Sequence, residues 1–158
     1  MSSAIWTSRA RAMCATVALV ALPASASATL GSDASSVDAD RVRMQGALLR
    51  IVTSDAYTVH EVQSSSGTTV REYVSSGKVF AVAWQGPWLP NLRQILGTYF
   101  DVYQRTVQGA PGNRKARGSI VINLPDFVVQ MSGHPRAFSG RAYLPRLMPQ
   151  RVQLENIR

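Results

Sequence analysis

From Tyr57 to Gln85 the chain alternates between apolar and polar positions. "YTVHEVQ", "TTVREYVS" and "KVFAVAWQ" are rich in Val, Thr, Tyr and Phe and are separated by Ser/Gly turns, which predicts three short antiparallel strands. The turns set the register. Ser76-Gly77 suits a two-residue loop, which places Ser75 opposite Lys78 and Tyr73 opposite Phe80. Ser65-Ser66-Gly67 suits a three-residue loop with Gly67 in the left-handed position. Val62 then faces Val70, Glu61 faces Arg71 and His60 faces Glu72, whereas a slip of one residue would oppose Glu61 and Glu72. Strict alternation gives one face of Val62, Val70, Val74, Val79, Ala81 and Ala83. The other carries Val59, Tyr73, Phe80, Val82 and Trp84, mixed with Glu61 and Arg71. The third strand is apolar on both faces and is expected to be central.

After Gln85 the period changes. Leu92, Ile95, Leu96, Tyr99, Phe100, Tyr103 and Val107 recur at spacings of three and four, which predicts an amphipathic helix over Pro90–Val107. Pro90 suits its first turn, and Gly97 costs it about 1 kcal/mol against Ala. Upstream, Ser36 is a candidate cap for a short helix ending near Gly46, and "ALLRIVTS" fits a helix or a strand. Downstream, "SIVIN", "FVVQMS" and "RAFSGRAYL" read as two or three further strands, before Pro145 and Pro149 mark an irregular tail. The expected fold class is α+β: an antiparallel meander, one long amphipathic helix packed on one face, and further C-terminal antiparallel strands. The expected segments are a leader and short helix over 29–56, a single α+β domain over 57–145 and a tail over 146–158.

Residues 1–28 read as a secretory signal peptide. Arg9 and Arg11 precede the apolar run "CATVALVAL", and Ala26 and Ala28 occupy the small-residue positions before a cut after Ala28. The run is about half the length that crosses a bilayer. Cleavage would remove Cys14, the only cysteine, so the mature chain is expected to have no disulfide and no thiolate ligand. The charge that remains is lopsided. Thr29–Gln108 carries seven basic and seven acidic residues, and Gly109–Arg158 carries eight basic against Asp126 and Glu155. Such asymmetry favours anionic partners.

Three blocks, "YTVHE" at Tyr57–Glu61, "GTTVREYVSSGKVFAVAWQGPWLPNLRQ" at Gly67–Gln94 and "HPRAFSGRAYLP" at His134–Pro145, resemble a bacterial secreted family known as domain of unknown function 2844. The resemblance spans nearly all of the mature chain. It implies an exported Gram-negative protein and supplies no catalytic or binding residue.

Residue chemistry narrows the function without naming it. His60-Glu61 opens like a zinc-protease motif, but Ser64 stands where the second histidine belongs, and a strand would send the pair to opposite faces. No metal or cofactor is expected. Ser75-Ser76-Gly77-Lys78 spells S-x-x-K without its companion motifs and reads as a hairpin turn. Ser139 lacks a nucleophile-elbow frame, although His134 near it in space is compatible with the sequence. Glu61 and Glu72 fall on opposite faces, unlike the paired carboxylates of a glycosidase. What remains is a basic surface: Arg114, Lys115 and Arg117 in one loop, and Arg136 and Arg141 around "AFSG". The plain reading is a solvated face that keeps an exported protein soluble; the specific alternative, with Phe138 and Tyr143 nearby, is a surface for an anionic envelope polymer or lipid, which fits better than nucleic acid because export leaves the chromosome behind. Trp88 is expected to close the end of the core, and an aromatic platform is the alternative. The resulting expectation is a periplasmic or secreted, non-enzymatic binding or accessory module. The alternatives are a small cell-wall or surface-polymer hydrolase and a structural partner of a secretion or surface assembly.

Overall fold

The computed structural model describes residues 30–109 and 119–158. The segment 1–28, expected as a signal peptide, and the loop with Arg114, Lys115 and Arg117 lie outside the described residues. Seven antiparallel strands form one sheet: β1 (Ala47–Thr53), β2 (Thr58–Gln63), β3 (Thr69–Ser75), β4 (Lys78–Gly86), β5 (Ser119–Asn123), β6 (Val128–His134) and β7 (Ala137–Tyr143). Their order is β1-β2-β3-β4-β7-β6-β5. Two meanders, β1–β4 and β5–β7, thus meet at the centre, where Ala81–Gly86 pairs with Phe138–Tyr143. The fold is α+β.

The β2–β3 register is the one the turns predict, with Val62 opposite Val70, Glu61 opposite Arg71 and His60 opposite Glu72. The β3–β4 register follows the prediction only at first. Ser76 and Gly77 have φ of 50° and 74°, as a two-residue hairpin turn requires, and Ser75 faces Lys78 and Val74 faces Val79. The register then shifts, and Tyr73 faces Ala81 instead of Phe80. Phe80 is the extra residue of a β-bulge, which turns the rest of β4 over. Val79, Val82 and Trp84 consequently belong to one core cluster, and Phe80, Ala81 and Ala83 to the other. The face assignment from strict alternation is corrected accordingly. Tyr57, Tyr73 and Phe80 gather on the second face with centroids 5.8–6.2 Å apart.

Helices cover the first face. α1 (Ser36–Arg43) inserts Val37, and α2 (Leu92–Leu96) inserts Leu92, Ile95 and Leu96 beside Trp84, Val70 and Val129. The helical stretch after β4 reaches Gly109 but is broken at Gly97, whose φ of 53° leads into a 3-10 turn over Gly97–Tyr99 and then α3 (Phe100–Gly109). The residue that sequence reading tolerates inside one helix is the one that bends it, because left-handed backbone is easiest for glycine. Tyr99 stacks on Phe127 at 5.1 Å.

The last residues cover the second face. Val152 and Ile157 are buried against Tyr73, Phe80 and Val128, and Met148 and Leu154 pack around them. The tail expected as irregular therefore completes a second hydrophobic layer. The ambiguous "ALLRIVT" is strand β1, so the sheet begins ahead of residue 57.

At Gly140 the two meanders pack tightly. A methyl group there would overlap the Trp84 ring and Met131 Cβ. Gly140→Ala is expected to destabilise the protein by about 1–3 kcal/mol, measured as a lower urea midpoint at unchanged slope.

Candidate functional site

The tail-side face of the sheet is organised in transverse rows. One row runs Ser119, Ser132, Ser139, Gln85, Thr69 and Gln63 from β5 towards β1. The next runs Val121, Gln130, Arg141, Ala83, Arg71, Glu61 and Arg50. A third, with Val128, Tyr143, Ala81, Tyr73 and Val59, is apolar and lies beneath the tail. Period-two alternation on every strand thus collects hydroxyls and amides in one line and arginines in the line beside it.

Two hollows flank the end of the tail on this face. A cleft of about 410 Å³ is lined by Ser119, Gln130, Ser132, Ser139, Arg141 and Arg158, among others. A second, of about 500 Å³, includes Arg50, Glu61, Arg71 and Tyr73 and shares Arg158 with the first. A third, of about 330 Å³, adjoins the first at Gln85 and Ser139 and carries Pro87, Phe138 and Arg136. Five arginines and a single acid therefore line the three hollows.

Hydrogen bonds fix the charged row. Arg71 Nε donates to Glu61 Oε2, and Arg50 Nη2 reaches the same oxygen at 3.3 Å. Burial alone would raise the Glu61 carboxyl, but the Arg71 hydrogen bond and the charges of Arg71 and Arg50 outweigh it and hold it below the usual range. Arg71 Nη1 also donates to the Arg158 carbonyl at 2.8 Å. Burial pushes the Tyr73 phenol up, and its oxygen lies 3.1 Å from both the Arg158 amide and the Arg158 carbonyl.

Arg141 sits at the junction of cleft and tail. Its Nε and Nη2 donate to Gln130 Oε1 at 2.9 and 2.7 Å. Its Nη1 donates to the carbonyls of Leu154 and Ile157, the latter at 3.3 Å. Arg136 stands at the β6–β7 turn, exposed, with φ of 70°. Of the sequence-expected basic residues, the structure brings Arg136 and Arg141 to the same face. Sequence reading missed the contribution of Arg50, Arg71 and Arg158. The predicted Glu61–Arg71 pair was the available signal for Arg71, whereas Arg50 lies in the segment left ambiguous between helix and strand.

Trp88 does not close the core. It is 59% exposed, with Leu89 beside it at 42%, while Trp84 is 2% exposed. The cause is Thr68, fully buried, whose hydroxyl donates to the Trp88 carbonyl at 2.7 Å and accepts from the Trp88 amide at 3.3 Å. Gly86 permits this approach, since a side chain there would overlap Thr68. The backbone is pinned and the ring is left outside. Thr68→Val keeps the shape but removes both hydrogen bonds. It is expected to cost about 1–3 kcal/mol, read from the urea midpoint.

His60 and Glu61 fall on opposite faces of β2, and among the described residues no group of three His, Cys, Asp or Glu side chains is placed to hold a metal ion. Burial holds the His60 imidazole below its usual value, partly offset by the Asp38 charge. His134 pairs with Ala137, two residues from Ser139 on β7, so His134 and Ser139 share a face. The His134 ring nitrogen Nδ1 lies 3.4 Å from the Pro135 carbonyl oxygen.

The model of one family, described as Protein of unknown function (DUF2844), matches residues 26–157. The chain belongs to that family. The match includes every described strand and nearly all of the tail, so the tail-covered sheet belongs to the family domain and is no appendage. No curated protein and no solved structure matches the chain.

Proposed function

We propose that this DUF2844 protein is an exported, non-enzymatic binding module that holds an anionic envelope polysaccharide on the tail-side face. The observation that carries this reading is the cleft itself. Serine hydroxyls and a glutamine amide can exchange hydrogen bonds with sugar hydroxyls, while Arg136, Arg158 and the arginine row supply charge to carboxylate, sulfate or phosphate substituents. A hollow of this size suits one or two sugar rings. The loop with Arg114, Lys115 and Arg117 immediately precedes β5, the strand that ends the serine row. Export rests on the signal peptide expected over residues 1–28.

Retention on immobilised heparin tests the proposal. Ser132→Tyr fills the cleft from an exposed strand position. It is expected to leave stability within about 0.5 kcal/mol of wild type and to weaken binding at least tenfold. The triple alanine variant of Arg114, Lys115 and Arg117 should elute at lower salt than wild type. Equal elution of all three proteins would overturn the reading. Preferential retention on nucleic acid or on anionic vesicles would replace it with another ligand class.

A second reading, a structural partner docked by a sheet edge, is favoured by β1. Leu48, Leu49, Ile51 and Val52 are 41–53% exposed on a strand whose outer edge is free of any described strand. Such an edge is a template for strand addition.

A further inference from the structure

The segment Gly86-Pro87-Trp88-Leu89-Pro90 links β4 to α2 and holds two large apolar side chains, Trp88 and Leu89, outside the core. Burying them would stabilise the fold, and this loop forgoes that contribution. It is nevertheless rigid. The hydroxyl of the buried Thr68 holds both the carbonyl and the amide of Trp88, and Pro87 and Pro90 fix φ on either side of the pair. Gly86 lies so close against Thr68 that a side chain there would overlap it. A pinned loop presents its aromatic ring already placed, so a ligand that covers the ring does not have to order the backbone first.

The loop borders the tail-side hollows. Pro87, next to Trp88 in the chain, lines the third hollow together with Phe138 and Arg136. That hollow adjoins the cleft at Gln85 and Ser139, so the path from the serine row to the Trp88 loop is continuous. Arg136 is exposed and forms no ion pair with a described residue, which leaves its charge for a ligand. A sugar ring has two kinds of surface. Hydroxyls and charged substituents project from its edge, and its C–H groups make an apolar face. The cleft offers partners for the edge, namely serine hydroxyls, the Gln130 amide and guanidiniums. Its one aromatic residue, Trp84, is buried. Trp88 supplies the flat, exposed apolar surface that the cleft lacks.

We propose that Trp88 is a stacking platform for a sugar ring that lies beyond the cleft, with the charged substituent of that ring on Arg136. The inference rests on the glycan reading above and adds a second subsite to it. The ligand class is a pyranose that bears sulfate, phosphate or carboxylate and belongs to a chain longer than the cleft can hold. One or two rings fill the cleft, and the next ring passes along the third hollow to the loop. Affinity therefore depends on chain length, and Trp88 carries that dependence.

Tryptophan emission and binding of sulfated heparin oligosaccharides to the chain from residue 29 to 158 test the platform. That chain has two tryptophans, Trp84 buried and Trp88 exposed, so a change on adding ligand reads Trp88. A hexasaccharide should shift the emission to the blue and protect it from acrylamide, and a disaccharide should do neither. Trp88→Ala should weaken hexasaccharide binding about tenfold, leave disaccharide binding within about twofold and keep the urea midpoint of wild type. Trp88→Phe should retain most of the affinity. Unchanged emission and equal hexasaccharide affinity in Trp88→Ala, while the amides of Ser132 and Ser139 shift, would overturn the platform and leave the cleft standing. Emission that responds to anionic vesicles and not to the hexasaccharide would also overturn it. A Trp88 response with undiminished binding by Ser132→Tyr would uphold the platform and overturn the cleft, and no hexasaccharide binding at all would overturn both.

Discussion

Trp84→Ala is expected to cost about 3–5 kcal/mol, the largest effect of any single truncation in this fold. Trp84 is the largest fully buried side chain among the described residues. Its strand β4 is the middle strand of seven, and its residue partners are Val70 on β3 and Gly140 on β7. The indole lies over Gly140 and beside Met131, so it bridges the two meanders within the core cluster on the helix side. Removing it opens a cavity between elements that cannot collapse, because the sheet's hydrogen bonds hold their spacing. Urea unfolding should show the midpoint fall with one cooperative transition. A loss under about 1 kcal/mol would mean that the two meanders do not depend on this ring.

Arg141→Ala is expected to cost about 2–4 kcal/mol and to release the tail. The guanidinium holds the carbonyls of Leu154 and Ile157 while Gln130 orients it. Truncation leaves partly buried carbonyls without their charged donor, and each such loss costs about 1–3 kcal/mol. Ile157, fully buried, and Val152 would then lose their seat on Tyr73 and Phe80. The check is limited trypsin digestion, since Arg151 lies within the tail. Wild type should be cut there slowly and the variant at least tenfold faster, with the sheet core intact in both. Equal rates would show that apolar packing alone holds the tail.

The contrast between what alternation and turn chemistry predict and what forms has specific physical causes. Register over β2–β3 was legible because Gly67 and the Glu61–Arg71 pair constrain the same alignment. The Phe80 bulge was not, since strict period two has no place for an extra residue, and a strand apolar on both faces carries no polar marker of the flip. β1 was ambiguous because an edge strand exposed on both faces lacks alternation. The tail looked irregular because its contacts run through backbone carbonyls to Arg71 and Arg141, which side-chain patterning cannot display. Trp88 was misplaced because the fate of its ring is set by Thr68, twenty positions away. Of the site itself, Arg136 and Arg141 were visible as charges, but the serine row exists only once β4, β5, β6 and β7 are in register.

The central claim is that the tail-side cleft, and not the basic loop alone or the β1 edge, receives an anionic glycan. Backbone amide shift mapping of the chain from residue 29 to 158 with a sulfated heparin oligosaccharide tests it most directly. The account predicts that the largest shifts fall on Ser119, Gln130, Ser132, Ser139 and Arg136, and that added salt reverses them. Shifts confined to residues 110–118 or to Ala47–Thr53, or no shifts at physiological salt, would contradict it.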